Sequence, residues 1–450
     1  MYVASTATTS SSSSSYNNNP AVQKFDPILF MPTSHGVNEA IGYIIPHLDT
    51  GSLAQCARVS RHFNRESNKA IWRAPNFQDG YLYNPLRLLN RFIDLLPELR
   101  PETQALVTTL DLSHIEESLY ENVRPHFFDA LTRYTPNLQV LKMVKTSFLT
   151  VSSVRGTGRL PHLRALDLSY CEHVSDDLLV ELAPRVPRLA YLRLDSLGSD
   201  AGGERGLAAF ADHCDDLTSV SIRYNDTITN GALTALAKFG KIHVKEVDLT
   251  GCAYVTPVGL AAMARFNINL QYLSLAKTAC DANHAIAFLT GRSARYLRHL
   301  DLGFCASLDN PAAADRIANV LWNEADHPAP SLECLAISMP VAEAMLGRGP
   351  CPCPITLLVV HGLRQNTPMQ LLTALLASFP SARHIAFTRD EPEDDEYMPM
   401  SFYSDVPDPS TSRRYINQDT VKQFNLCQSN VLVTLTNDRE KIDGLTMHHW

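Results

Sequence analysis

The sequence predicts a curved α/β solenoid, with parallel strands along the inner side and helices along the outer side, preceded by a small all-α module. Three observations carry this prediction. A short aliphatic pattern recurs through most of the chain at about 27.5-residue steps. A capped helical stretch follows the clearest copies at a fixed distance, and a block of short amphipathic helices at 30–78 stands ahead of the first copy.

The recurring pattern is L-x-x-L-x-L with other aliphatics allowed. It is clearest in LQVLKM at Leu138, LRALDL at Leu163, LAYLRL at Leu189, VKEVDL at Val244, LQYLSL at Leu270 and LRHLDL at Leu297. Weaker copies start at Val107, Leu217, Leu332, Ile355 and Ala382. Alternation of period two over six residues reads as a short strand. Eight residues after the start stand Cys171, Asn225, Cys252 and Cys305, small polar residues suited to satisfy backbone groups where the chain bends. Twelve after stand Ser175, Thr229, Thr256 and Asp309, good helix N-caps, and Pro257 suits a first helical position. Leu179, Leu182 and Ala183, then Leu233, Leu236 and Ala237, then Leu260, Met263 and Ala264, fall at helical spacing on one face. One such unit buries too little to offset the ordering entropy, so the units must stack. With LDLSYCEHVSDDLL and VDLTGCAYVTPVGL as its best examples, the pattern resembles the cysteine-containing class of leucine-rich repeats over 105–390.

Ahead of the repeats, NEAIGYIIPHLD places Ile41, Ile44, Ile45 and Leu48 on one helical side, and DTG breaks the helix. Ser52 and Gln55 form an S-x-x-Q capping box that starts a helix at Leu53. Leu53, Cys56, Val59 and Phe63 continue an apolar stripe with a turn near Ser60, and Trp72 closes the block. These residues, with Glu39, resemble an F-box, the module by which substrate receptors hang on the Skp-family adaptor of SCF ubiquitin ligases. Two departures stand out: Met31-Pro32 lies upstream of the place where the family opens with Leu-Pro, and Pro46 sits inside the first helix. The resemblance implies a non-catalytic receptor that docks on the adaptor, and through it a cullin, and holds an unidentified target protein on the repeats. The alternative is a non-ligase scaffold or inhibitor whose N-terminal helices only cap the solenoid. A solenoid that activates a GTPase is a third class, which the F-box-like block disfavours.

On the strands, the second, fourth and sixth residues after each start project from the core toward the inner face. Tyr191, Arg193, Arg223, Tyr224 and Tyr272 are the expected centre of target binding, with Tyr170 and His299 beside them, because aromatics and arginine anchor protein interfaces. Asp167, Asp248 and Asp301 are expected to be solvated strand residues.

The remaining divisions are a Ser/Asn-rich disordered leader at 1–29, a connecting helical segment at 79–104, an acidic Pro-rich loop at 391–414 and a C-terminal cap at 415–450. An insertion at 321–330 and the Pro-rich 347–354 read as loops, and His448 and His449 as an exposed end. With 39 basic and 47 acidic residues and no basic run, the composition argues against a nucleic-acid partner. No apolar stretch approaches the roughly 20 residues that span a bilayer, and no secretory signal is present, so no membrane partner and a cytoplasmic or nuclear location are expected. The 10 scattered cysteines fit reduced thiols. Cys351-x-Cys353 with His361 lacks zinc spacing, G-T-G at 156–158 lacks a third glycine, the Asn225 sequon lies at a buried repeat position, and no G-x-S-x-G occurs. No metal, no cofactor and no catalytic set are expected.

Overall fold

A computed structural model describes residues 41–436 except 42, 78–83, 114, 118–120, 198–203, 227, 239–243, 267–268, 324–328, 365, 390–414 and 428–429. The expected leader at 1–29, Glu39, the acidic loop at 391–414 and the histidines at 448 and 449 lie outside the described residues.

Twelve strands form one sheet in strict sequence order. They are β1 (Thr109–Asp111), β2 (Val140–Lys142), β3 (Ala165–Asp167), β4 (Tyr191–Arg193), β5 (Ser219–Ser221), β6 (Glu246–Asp248), β7 (Tyr272–Ser274), β8 (His299–Asp301), β9 (Cys334–Ser338), β10 (Leu357–Leu363), β11 (His384–Arg389) and β12 (Leu432–Leu435). Every neighbouring pair is parallel, and equivalent repeat positions face one another, as Leu166 faces Leu192. The aliphatic positions of the pattern form one continuous buried core together with the inward faces of the helices, including Leu179, Leu182, Leu233, Leu260 and Met263.

The sheet continues past 390. Residues expected only to cap the end supply β12 and the helix Gln418–Cys427 in front of it. His384 pairs with Leu432 in register, so the position equivalent to the start of a repeat is Asn430, which is why the aliphatic pattern does not mark it.

The eighth-position residues do what the bend requires. Each donates to the strand-end carbonyl of the preceding coil: Cys171 Sγ to Met143 O at 2.9 Å, Cys252 Sγ to Ile222 O at 3.0 Å, Cys305 Sγ to Leu275 O at 3.1 Å, and Asn225 Nδ2 to Leu194 O at 2.6 Å. Burial pushes the Cys252 thiol up to about 12 and that of Cys305 to about 11, so both remain protonated donors.

Two caps differ from expectation. The helix Thr50–Cys56 is capped by Asp49, whose carboxylate accepts from the Ser52 amide at 2.8 Å, so it begins three residues earlier than a Ser52 cap would place it. Asp309 instead accepts from the Ser338 hydroxyl, and Asn310 caps the helix Pro311–Leu321. In both cases an earlier or later Asx side chain competes for the same amides.

Candidate protein-interaction surfaces

The N-terminal helices have a core of their own. Ile41, Ile45 and Leu53 are buried together, with Leu48, Phe63, Ala70 and Ile71 packed on them. The helices Thr50–Cys56 and Arg61–Arg73 form a hairpin, held where Asn64 Nδ2 donates to Ala57 O at 2.9 Å, and Ser60 caps the second helix. Trp72 belongs to the solenoid side instead: its ring lies 6.4 Å from Phe92 of the helix Pro85–Leu95, and Phe77 meets the same ring edge-on at 5.4 Å. A cleft of about 720 Å³ lies between the two packings, lined by Leu48, Leu53, Trp72, Phe77 and Phe92.

The expected adaptor-contacting residues therefore fall into three groups. Ile41, Ile45 and Leu53 fill the knob's interior, while Leu48, Cys56 and Phe63 are half-buried. Ile44 is 56% exposed and Val59 68%, and Tyr43, next to Ile44 in the chain, is 79% exposed. Trp72 is half-buried against the first coil. A 3.6-residue stripe cannot tell an inner helical face from an outer one once a chain of three short helices folds back on itself.

On the inner face the sheet gathers a charged seam. Arg223 Nε lies 3.0 Å from Asp195 Oδ2 and 3.9 Å from Asp248 Oδ2, and Arg193 lies 3.7 Å from Asp195 and 3.9 Å from Asp167. Ser221 donates to Asp195 at 2.6 Å. Beyond them Thr250, Ser274 and Asp301 continue a chain of hydrogen bonds, and His361 stands 3.9 Å from Asp301 with Nδ1 3.0 Å from the Thr388 hydroxyl. Asp167 and Asp248 are not solvated as expected. They are 5% and 4% exposed, because the strands bring arginine stems and hydroxyls over them. Burial raises both carboxyls above the usual range, and that of Asp248 reaches about 7 against the pull of Arg223.

Of the expected target-binding residues, Arg193 and Arg223 are joined through Asp195, and Tyr272 stacks on His299 at 4.3 Å with their planes 11° apart. Tyr191 is half-buried on β4. Tyr170 and Tyr224 stand apart from these, on the rim where the strands end, 47% and 37% exposed. Lys145 and Lys277 on the same rim escaped the sequence reading because their shared signal, seven residues after each start, is a backbone conformation and not a residue type.

Among the described residues no group of three or more His, Cys, Asp or Glu is placed to hold a metal ion, and no helix is long and apolar enough to cross a membrane. Cys351 and Cys353 are both buried, and neither is in a disulfide bond.

No curated protein sequence matches the chain. The Leucine Rich repeat family profile matches residues 159–183 and 240–264. Among solved structures, the chain is similar to one titled "Crystal structure of Rad7 and Elc1 complex in yeast", at 16% identity and a TM-score of 0.39, over 73% of this chain and 89% of that one. It is also similar to the leucine-rich repeat-containing protein LegL7 from Legionella pneumophila, at 14% identity and a TM-score of 0.40, over 70% of this chain and 91% of that one. The in-order parallel sheet, the buried aliphatic ladder and the two profile matches agree: the fold is an α/β leucine-rich repeat solenoid, a scaffold suited to protein interaction rather than catalysis.

Proposed function

We propose that this chain is the substrate-recognition subunit of an SCF-type ubiquitin ligase. The N-terminal knob docks on a Skp-family adaptor and through it a cullin, and the solenoid holds a target protein for ubiquitin-dependent degradation. Transfer chemistry belongs to other subunits, and this chain contributes proximity.

The observation that carries the reading is the exposure of Tyr43, Ile44 and Val59 on a helical knob whose interior is already filled by Ile41, Ile45 and Leu53. Burying one such aliphatic side chain is worth about 1.5–3 kcal/mol, so each of these exposed side chains is a contact that a partner can bury. The module is also held on the solenoid core, through Trp72. That same contact favours a second reading, in which the module serves only as the end cap of a non-ligase scaffold.

Co-purification with a Skp-family adaptor separates the two. Ile44→Asp with Val59→Asp should abolish adaptor recovery and leave the thermal midpoint nearly unchanged, since both side chains are already in water. Leu53 is unsuitable for this purpose because it is only 6% exposed and a charge there breaks the knob. Wild-type adaptor recovery by the double variant, or none by the unaltered chain, leaves only the cap.

A further inference from the structure

Seven successive coils place one residue in the left-handed region at the same point, seven after the repeat start: Lys145, Tyr170, Ser196, Tyr224, Gly251, Lys277 and Phe304, with φ of 60°, 62°, 50°, 53°, 73°, 56° and 55°. The backbone there is fixed by a ladder that prolongs the sheet. Lys145 N donates to Ser169 O at 2.9 Å, Tyr170 N to Asp195 O at 2.8 Å, Tyr224 N to Thr250 O at 2.8 Å and Lys277 N to Gly303 O at 2.9 Å. Glycine is the least strained occupant of such a conformation, and bulky side chains are the most strained. Glycine stands at only one of the seven positions, and two tyrosines, a phenylalanine and two lysines stand at five others.

These side chains form an organised rim. The Lys145 ammonium lies 5.7 Å from the centre of the Tyr170 ring, and that of Lys277 5.5 Å from the Phe304 ring. The Tyr224 ring covers Gly251, where a Cβ would come within 2.4 Å of it. Tyr170, Tyr224 and Phe304 are 47%, 37% and 36% exposed. Neither Lys145 nor Lys277 meets a carboxylate in any ion pair among the described residues, in contrast to Arg193 and Arg223 on the inner face.

We propose that this rim is where the target docks, as an extended segment that sets acidic side chains against Lys145 and Lys277 and apolar side chains against Tyr170, Tyr224 and Phe304. The inference rests on the receptor reading above and names the chemistry of its target. It also moves the anchors from Arg193 and Arg223, whose charges are engaged by Asp167, Asp195 and Asp248, to the strand-end edge. The two lysines stand five strands apart, about 24 Å at the usual strand spacing. An extended chain covers that distance in about seven residues. Discrete carboxylates match two separated ammonium groups. A polynucleotide does not, because its continuous charge would also face the acidic residues of the inner face.

The test is selection of displayed random peptides of about twelve residues on the full chain, followed by binding to two variants. Peptides with acidic residues about seven positions apart and aromatic or aliphatic residues between them are expected, with affinity reduced at least tenfold by K145E/K277E and by Y170A/F304A. All four side chains are exposed or at the surface, so both variants should keep the wild-type melting curve. A selection without acidic apolar peptides, or peptides indifferent to both variants, overturns the proposal. So does a single-stranded DNA 12-mer that binds more tightly than the peptides and is lost in K145E/K277E. Adaptor recovery by the same variants is measured in parallel: retained recovery with lost rim selectivity moves only the target site, whereas absent recovery from the unaltered chain removes the receptor reading itself.

Discussion

Asp248 lies under a guanidinium that it shares with Asp195, and its own Oδ1 accepts from the Thr250 amide at 2.9 Å and the Thr250 hydroxyl at 2.7 Å. Burial lifts its carboxyl to about 7, and the neighbouring Asp195 adds to the lift, while Arg223 and the Thr250 bonds oppose it. An unfolded chain releases this proton near pH 4. Between there and pH 7 the folded state holds the extra proton, so this group makes the protein less stable as pH rises through that window. Asp248→Asn removes the titration. The difference in thermal midpoint, variant minus wild type, should grow in the variant's favour from pH 5 to pH 8, and a difference flat across that range means that Arg223 keeps Asp248 ionised throughout. The sequence showed this aspartate on the inner face but not that it is buried beside Arg223 of the preceding coil and the hydroxyl of Thr250. The pairing of Arg193 with Asp167 and of Arg223 with Asp248 crosses about 25 residues of chain, a separation at which single-letter patterns carry no sign of contact.

At the level of single helices, capping passes between coils. Asn230 opens the helix Asn230–Lys238, yet its side chain serves the next one: Oδ1 accepts from Thr256 N at 3.0 Å and Gly259 N at 3.1 Å, and Nδ2 donates to Thr256 Oγ1 at 2.8 Å. Gly259 allows this approach, since a Cβ there would lie 2.6 Å from Asn230 Oδ1. Asn230→Ala strips bonds from the start of the helix Pro257–Phe266 and should cost about 1–2 kcal/mol, read from the denaturant midpoint at unchanged slope. A cost no greater than that of an ordinary exposed Asn→Ala change would show that water replaces the amide fully. Strands β1 to β11, and the helices behind β3, β5 and β6, were legible from L-x-x-L-x-L because each turn repeats the same buried positions. The helix starts were less so. Asp49 displaces Ser52 and Asn310 displaces Asp309 because several Asx and Ser side chains compete for the first free amides. Of the rim, Tyr170 and Tyr224 were legible as aromatic anchors, but the row as a whole was not, because Lys, Tyr, Ser, Gly and Phe share a dihedral there and no chemistry.

Behind the N-terminal knob, the described residues form a row of coils in which each strand is hydrogen-bonded only to its neighbours in sequence, with β12 at one end of the sheet. The end is shielded lightly, as Leu432 is 51% exposed, while Ile416 and Val421 pack into the common core just before it. Removing residues 415–450 strips β12 from β11 and leaves a row of unpaired amides and carbonyls along His384–Arg389. The truncated chain should therefore scatter light at concentrations where the full chain stays monodisperse, and a clear solution from both would show that β11 needs no cover. That this terminal coil is structural was hidden in the sequence by Asn430, a polar residue standing where the other coils have an aliphatic one.

The thiol and amide links at Cys171, Asn225, Cys252 and Cys305 all reach back to a carbonyl roughly thirty residues earlier. During synthesis at the ribosome, each of these side chains thus meets an acceptor that already exists, while the strand-end amides, as at Lys145, are met only by the coil that follows. A nascent chain therefore adds one turn at a time onto an end that already offers it partners.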